Sequence, residues 1–121
     1  MKAAVRVHPE TLYARMQNEV ALILRVENKG ASRWAEAEVE VPEKLSLAPL
    51  AHLHKGRMRV GIVGRNQALE KSVKIYASAY TGAQPYECRL VVFTYDKDGV
   101  IDERIELPFQ VKCEEQKPAV L

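Results

Sequence analysis

The residues that could carry chemistry in this chain of 121 residues are few, and they do not combine into a catalytic motif. His52 and His54 could supply half of a metal site, but no third ligand is close to them in the sequence. Cys88 and Cys113 fit neither a zinc spacing nor a redox spacing. We therefore predict a protein that is not an enzyme and that holds no metal or cofactor, with both thiols free.

A glycine-containing segment between Arg59 and Asn66 is similar to the opening of a dinucleotide-binding motif. That motif needs a third glycine and a helix that follows it. Here the third glycine is missing, and the next predicted element is a strand. Gly61 and Gly64 are therefore predicted to form a turn or a bulge between strands, and no site for a small-molecule substrate is expected.

Basic residues are unevenly distributed along the chain, although its net charge is only +2. The segment from Lys44 to Lys74 contains seven basic residues and one acidic residue, Glu70, while the rest of the chain carries a net charge of −4. A basic excess of this kind favours a negatively charged partner, either nucleic acid or an acidic protein.

The elements that must position these residues follow from a hydrophobic pattern of period two, which predicts β-strands with one face buried. Between Gln67 and Tyr80 the apolar residues also fit a helical spacing, and a helical turn near Gln67–Glu70 stays open. We favour a strand there because the segment is rich in β-branched and aromatic residues. The seven predicted strands are Ala4–His8, Glu19–Asn28, Trp34–Val41, Arg57–Val63, Ser72–Ala79, Tyr86–Tyr95 and Arg104–Cys113. Alternation places Val20, Leu22, Leu24 and Val26 on the core side of the second strand. It places Met58, Val60 and Ile62 on the core side of the fourth.

Seven short strands without a long helix predict an all-β protein, specifically a seven-stranded two-sheet sandwich. The composition is that of an ordinary globular domain, with 47% hydrophobic and 28% charged residues. We expect one domain over residues 1–113, followed by a frayed tail over residues 114–121.

Three features resemble an immunoglobulin-like domain: the Tyr-x-Cys sequence that ends at Cys88, a tryptophan at position 34, and Leu22 where such domains usually have their first core cysteine. The segments LRVENKGAS, VEVPEKLSL and EKSVKIYASAYTGAQPYECRLVVFTYDKDG resemble, more specifically, the cell-adhesion-related immunoglobulin-like domains of bacteria and archaea. The resemblance implies that the first, second, fifth and fourth predicted strands form one sheet. It also implies a tryptophan packed inside the sandwich.

With the sheet order that the resemblance implies, alternation along the strands directs several basic and aromatic side chains to one outer face. Such a face suits a phosphate backbone with stacked bases, or an acidic protein. The candidate polyanion-binding residues are Arg25, Arg57, Arg59, Lys74 and Tyr76.

The other sheet is predicted to carry an apolar stripe, because the strand Tyr86–Tyr95 is apolar on both of its faces. One face fills the core, which leaves Val91, Phe93 and Tyr95 outside. By the same alternation Trp34 faces outward, whereas the resemblance implies that it packs inside; a bulge near the following residue would turn it inward. Both placements stay open, and the candidate interaction residues are Trp34, Val91, Phe93 and Tyr95.

From these patterns we expect a protein–protein interaction module that forms a homodimer through the apolar stripe. Nucleic-acid or polyanion binding through the basic face is the alternative. The first 20 residues contain no apolar signal segment, and no segment is long and apolar enough to span a membrane, so a cytoplasmic location without a membrane partner is expected.

Overall fold

The computed structural model describes residues 1–116, and every regular element in them is a β-strand. No helix that could span a membrane occurs in this part of the chain. The strands are β1 (Lys2–His8), β2 (Thr11–Tyr13), β3 (Asn18–Asn28), β4 (Arg33–Glu40), β5 (Lys55–Val63), β6 (Gln67–Ala77), β7 (Pro85–Tyr95) and β8 (Ile101–Glu114). The all-β prediction is confirmed, and β6 is a strand where the sequence also allowed a helical turn.

The strands form two sheets, one in the order β1-β3-β6 and one in the order β2-β8-β7-β4-β5. Neighbouring strands are antiparallel except β2 and β8, which are parallel. Strand β2 was not predicted, because three residues are too few to show a period. Its central residue, Leu12, is nevertheless fully buried and belongs to the core.

The core lies between the two sheets and is built by alternate residues of the long strands. Leu22, Leu24 and Val26 of β3 are buried from one sheet, and Leu90 and Val92 of β7 from the other. Burial of each such side chain contributes about 1.5–3 kcal/mol. This layer fixes which side chains of the same strands are left on the two outer faces.

The predicted sheet order is wrong for the fourth predicted strand, which is β5. It pairs with β4 in the five-stranded sheet and not with β6. The physical reason is charge complementarity along the β4–β5 ladder, where basic residues of β5 stand opposite glutamates of β4. The opposed pairs are Glu36 with Arg59, Glu38 with Arg57, and Glu40 with Lys55.

Strand β5 contains a β-bulge, which lies beside Ala35 of β4. Gly61 adopts a φ of 115° at the bulge, a conformation that glycine adopts more readily than any other residue. The extra residue reverses the alternation, so Val60 and Val63 are buried while Ile62 faces outward. The expectation that Ile62 continues the buried side of this strand is therefore wrong.

The carboxyl-terminal end of the described chain is held to the domain. Strand β8 continues to Glu114, one residue beyond the predicted domain boundary. Beyond it, the Glu115 carboxylate accepts hydrogen bonds from the Arg15 guanidinium, and Gln116 Nε2 donates to the Ala14 carbonyl at 3.0 Å. Residues 114–116 therefore do not form the predicted frayed tail, and the rest of that tail lies outside the described residues.

Candidate interaction face

The outer face of the five-stranded sheet carries four side chains in one line across β5, β4, β7 and β8. In register they are Ile62, Trp34, Tyr95 and Ile101, which we call the apolar row. Ile62 is 63% exposed and Ile101 is 57% exposed, while the two aromatic residues between them are half-buried. The row lies where β4 begins and β7 ends, so it occupies one end of the face.

The remaining three lines of this face are rich in charge. Moving away from the apolar row, the side chains in register are Arg59, Glu36, Phe93 and Arg104, then Arg57, Glu38, Val91 and Glu106, then Lys55, Glu40, Arg89 and Pro108. The face therefore has an apolar end and a charged remainder.

Phe93 and Val91 lie on the predicted face but do not need a partner to cover them. The guanidinium carbon of Arg57 lies 5.8 Å from the centroid of the Phe93 ring, and that of Arg104 lies 5.9 Å from it. Both distances suit cation–π contacts. Val91 is only 4% exposed among the charged side chains around it. The expectation that these two residues are uncovered is corrected, because strand alternation predicts a face but not the neighbours on it.

Trp34 lies on the outer face, which decides between the two placements that the sequence left open. Its indole nitrogen donates a hydrogen bond to the Glu36 carboxylate at 3.4 Å, and the next residue, Ala35, is fully buried. The bulge expected near Ala35 exists, but its extra residue belongs to β5, so the direction of Trp34 does not change. The inward tryptophan that the resemblance implies is not observed.

Glutamates along β4 form ion pairs with basic residues along β5. Lys55 Nζ lies 3.1 Å from the Glu38 carboxylate, and Arg57 contacts the carboxylates of both Glu38 and Glu36, at 3.4 and 3.7 Å. The hydrogen bond from Lys55 is the main reason that the pKa of Glu38 lies below its ordinary value. Lys55 and Arg57 are therefore paired with acidic residues of β4 and do not form a free positive surface.

The predicted basic face is divided between the two sheets. Arg57 and Arg59 lie on the five-stranded sheet, while Arg25, Lys74 and Tyr76 lie on the three-stranded sheet. The single surface expected from the sequence does not exist, because β5 pairs with β4. Only the outward direction of these five side chains on their own strands was predicted correctly.

In the middle of the outer face of the three-stranded sheet, each arginine or lysine side chain contacts a carboxylate. Arg25 Nε lies 3.2 Å from Glu27, and Lys74 Nζ lies 3.2 Å from Glu19. Arg6, on the neighbouring β1, is 3.7 Å from Glu70. This face is therefore a mixture of both charges and offers no basic patch to a polyanion.

Neither the histidines nor the thiols form a reactive site. The rings of His52 and His54 have centroids 6.3 Å apart, and residues 1–116 contain no group of three residues that could hold a metal. Cys88 stands opposite Phe109 in the β7–β8 register, four positions from Cys113, and both thiols are free as predicted. Burial raises the pKa of Cys88 to about 12, so its thiol stays protonated and unreactive.

A cleft of about 480 Å³ lies between the β4–β5 connection and the end of β6. Leu50, 94% exposed, and Tyr80 stand at this cleft, and Tyr76 lines it too. Its lining combines alanine and leucine side chains with polar residues, among them Gln17, Glu43, Lys44 and His52. We assign no chemistry to it.

Sequence reasoning missed Ile62 and Ile101, the two most exposed members of the apolar row. The signal for Ile62 was present, because Gly61 was predicted to form a turn or bulge; a bulge at that point reverses the side of every later residue in β5. No protein-family model and no curated protein sequence matches the chain. The functional conclusion therefore rests on the geometry of this face.

Proposed function

We propose that the protein is an immunoglobulin-like interaction module that associates with a second copy of itself through the apolar row. The immunoglobulin-like assignment is supported by the strand order, with β2 parallel to β8 at the edge of the larger sheet. It is also supported by the Tyr86 hydroxyl, which donates to the Gly82 carbonyl at 2.8 Å, the contact of a tyrosine corner.

The apolar row is the observation that carries this proposal. Four large apolar side chains stand next to one another in register, and the two at the ends are more than half exposed. Single exposed apolar residues are ordinary, but a contiguous group beside charged residues is typical of a contact site. The charged remainder of the face supplies the polar margin that such a site needs.

The order of the row favours a second copy as the partner. It reads aliphatic, aromatic, aromatic, aliphatic from β5 to β8, so it is similar in both directions. A two-fold axis parallel to the strands, between β4 and β7, would set Trp34 against Tyr95 of the second copy and Ile62 against Ile101. A self-complementary surface of this kind closes in a dimer.

Two of the three charged lines of the face are compatible with the same axis, which would bring Arg57 towards Glu106 of the second copy and Glu40 towards Arg89. The line next to the apolar row opposes association, because the axis would set Arg59 against Arg104 of the second copy. Burial of the exposed isoleucines contributes a few kcal/mol, of which much is offset by the entropy lost on association. We therefore expect a weak dimer whose population depends on concentration.

Nucleic-acid binding, the alternative function, has less support. Its candidate residues lie on two sheets, and most of them contact carboxylates of the same face. A phosphate backbone would have to displace those carboxylates before it gained its own contacts.

Sedimentation equilibrium of matched variants tests the proposal. Ile62→Glu introduces a charge into the apolar row, and Leu50→Glu makes the same change at an exposed leucine far from it. We expect Ile62→Glu to lower the average mass at a given concentration, while Leu50→Glu leaves it unchanged. Equal masses for Ile62→Glu and the unsubstituted chain would contradict self-association through this face.

A further inference from the structure

The edge of β6 that faces away from β3 is open along most of its length. Strand β6 is the last strand of its sheet, and within residues 1–116 a single residue from another segment pairs with this edge. That residue is Ser46, whose backbone N–H donates to the Tyr76 carbonyl at 3.0 Å and whose carbonyl accepts from the Tyr76 N–H at 2.8 Å. Strand β5, which was predicted to cover this edge, belongs to the other sheet.

The Ser46 contact shows which backbone groups of β6 point towards the open edge. Both backbone groups of Tyr76 point away from β3, and in an antiparallel ladder this direction repeats at every second residue. The N–H and C=O groups of Lys74, Ser72 and Glu70 therefore also point to the open edge. All three residues are exposed.

We propose that β6 pairs antiparallel with β6 of a second copy about a two-fold axis at Ser72, joining the two three-stranded sheets into one sheet of six strands. Ser72 then stands opposite Ser72 of the second copy. Glu70 stands opposite Lys74 of the second copy, and symmetry repeats this pair on the other side. The open groups of these residues form six backbone hydrogen bonds between the copies.

Charge selects this register over its neighbours. Registers centred on Glu70, Lys71 or Lys74 set two like charges directly opposite each other, which is destabilising. A register centred on Val73 sets Glu70 opposite Tyr76 and Ser72 opposite Lys74, so it pairs no opposite charges. In the register centred on Ser72 the pairing ends at Glu70 and Lys74, because the next open groups, those of Tyr76, are already bonded to Ser46. The register centred on Ser72 sets opposite charges together and leaves the exposed Lys71 beside Val73 of the second copy.

The open edge of β5 behaves differently, and the contrast supports the choice of β6. Strand β5 is the terminal strand of the five-stranded sheet, with Lys55, Arg57 and Arg59 on its outer side. Antiparallel pairing of two β5 strands would bring like charges together in every register centred between Lys55 and Arg59. Edge strands are commonly protected from association by such charges. Strand β6 carries both signs in a self-complementary order.

The ion pairs that Glu70 and Lys74 make within one molecule do not prevent this pairing. Glu70 is 3.7 Å from Arg6, and Lys74 is 3.2 Å from Glu19, and all four side chains are at least two-fifths exposed. Exposed ion pairs of this kind are weak and exchange easily. The contact between copies also adds backbone hydrogen bonds, which the side-chain pairs cannot supply.

The β6 contact does not depend on the proposed function, because it uses a different edge of the molecule. Two different self-complementary surfaces on one chain would build assemblies larger than a dimer. The experiment is therefore done in the Ile62→Glu background, in which association through the apolar row is removed. Any association that remains then reports on the β6 contact, so the two proposals are tested separately.

Disulfide trapping tests the register. Directly opposed residues that exchange hydrogen bonds have Cα atoms about 5.5 Å apart, within the range of a disulfide, so Ser72→Cys should form a covalent dimer under mild oxidation. Glu70→Cys is the matched control, because the two positions are about 14 Å apart in this register. The double variant Glu70→Cys, Lys74→Cys should be trapped again. The native thiols are buried and give little background.

Charge reversal provides a second readout that needs no oxidation. Glu70→Lys should weaken the dimer of the Ile62→Glu chain by about tenfold, because two favourable pairs become repulsive. Adding Lys74→Glu should restore it. The proposal is overturned if Ser72→Cys is trapped no faster than Glu70→Cys, or if Glu70→Lys leaves the sedimentation average of the Ile62→Glu chain unchanged.

Discussion

The outer faces of the two sheets contain similar residue types in different arrangements. On the three-stranded sheet, bases and acids are mixed, and Arg25 and Lys74 each contact a glutamate. On the five-stranded sheet, the basic residues lie along β5 and the acidic residues along the neighbouring β4. The apolar residues are gathered at one end of this face. The comparison teaches that strand pairing, and not the number of charges in a segment, decides whether a surface is basic, neutral or apolar.

The largest effect is expected from a substitution at the Gly61 bulge, because this bulge turns Ile62 to the outer face. Gly61→Ala should destabilise the fold by about 1–3 kcal/mol, because a residue with a Cβ is strained at a φ of 115°. A collision would not explain the loss, since the atom nearest to the added Cβ, Leu69 Cδ1, lies at an ordinary contact distance of 3.7 Å. Urea unfolding measures this change.

Gly82→Ala is the control for the bulge. No atom lies within 4 Å of a Cβ added at Gly82, and its backbone is not in the left-handed region. Its free energy of unfolding should change by less than about 0.5 kcal/mol. Equal losses for the two variants would show that backbone conformation at the bulge is not what holds Ile62 outward.

Phe93 tests whether side-chain contacts on the five-stranded face stabilise the fold, because both arginines over its ring lie on that face. Phe93→Leu keeps an apolar side chain but removes the ring, and it should cost about 1 kcal/mol of unfolding free energy. In the Arg57→Met background the same substitution should cost less. If the two costs are equal, Arg57 does not contribute through the ring.

Glu38 gives a smaller effect that depends on pH. Since its pKa is lowered in the folded protein, it contributes stability above the pKa of the unfolded chain, about 4.3, and this contribution is lost as the pH falls through the folded value. Glu38→Gln should reduce the decrease in the free energy of unfolding over this acid range, by less than about 1 kcal/mol. Carboxyl resonances measured by NMR should show the pKa of Glu38 moving upward in Lys55→Met, and no movement would contradict the Lys55 contact.

The smallest effect is expected for oligonucleotide binding. Because Arg57 is engaged by Glu36 and Glu38, the double variant Arg57→Ala, Arg59→Ala should change oligonucleotide affinity by less than about twofold at moderate salt. Fluorescence anisotropy at several salt concentrations measures it. Tight binding that falls steeply with salt, and that this variant abolishes, would restore the polyanion hypothesis.

Much of the fold could be predicted, because the alternation of buried and exposed residues can be read from the sequence of each strand alone. Leu22 and Leu24 alternate with outward residues, and the structure buries both as expected. The same rule identified the faces of Val91, Phe93 and Tyr95. These successes share one cause: the side of a strand depends on residues two positions apart.

The site was predicted less well, because it depends on which strands become neighbours. The contact of Arg57 with Phe93 joins two strands that are not adjacent in sequence, and no local pattern contains it. Ile62 was assigned to the wrong side because one extra residue reverses alternation beyond Gly61. Strand order and bulges were therefore the two sources of error.

The central claim is that the apolar row is the surface on which two copies meet, and Trp34 can report on it directly. It is the single tryptophan of the chain, so its emission is not mixed with that of another indole. We predict that its emission shifts to shorter wavelength as protein concentration rises, and that Ile62→Glu abolishes the shift. An emission maximum that is independent of concentration while the chain associates would contradict the claim, because Trp34 would then lie outside the contact.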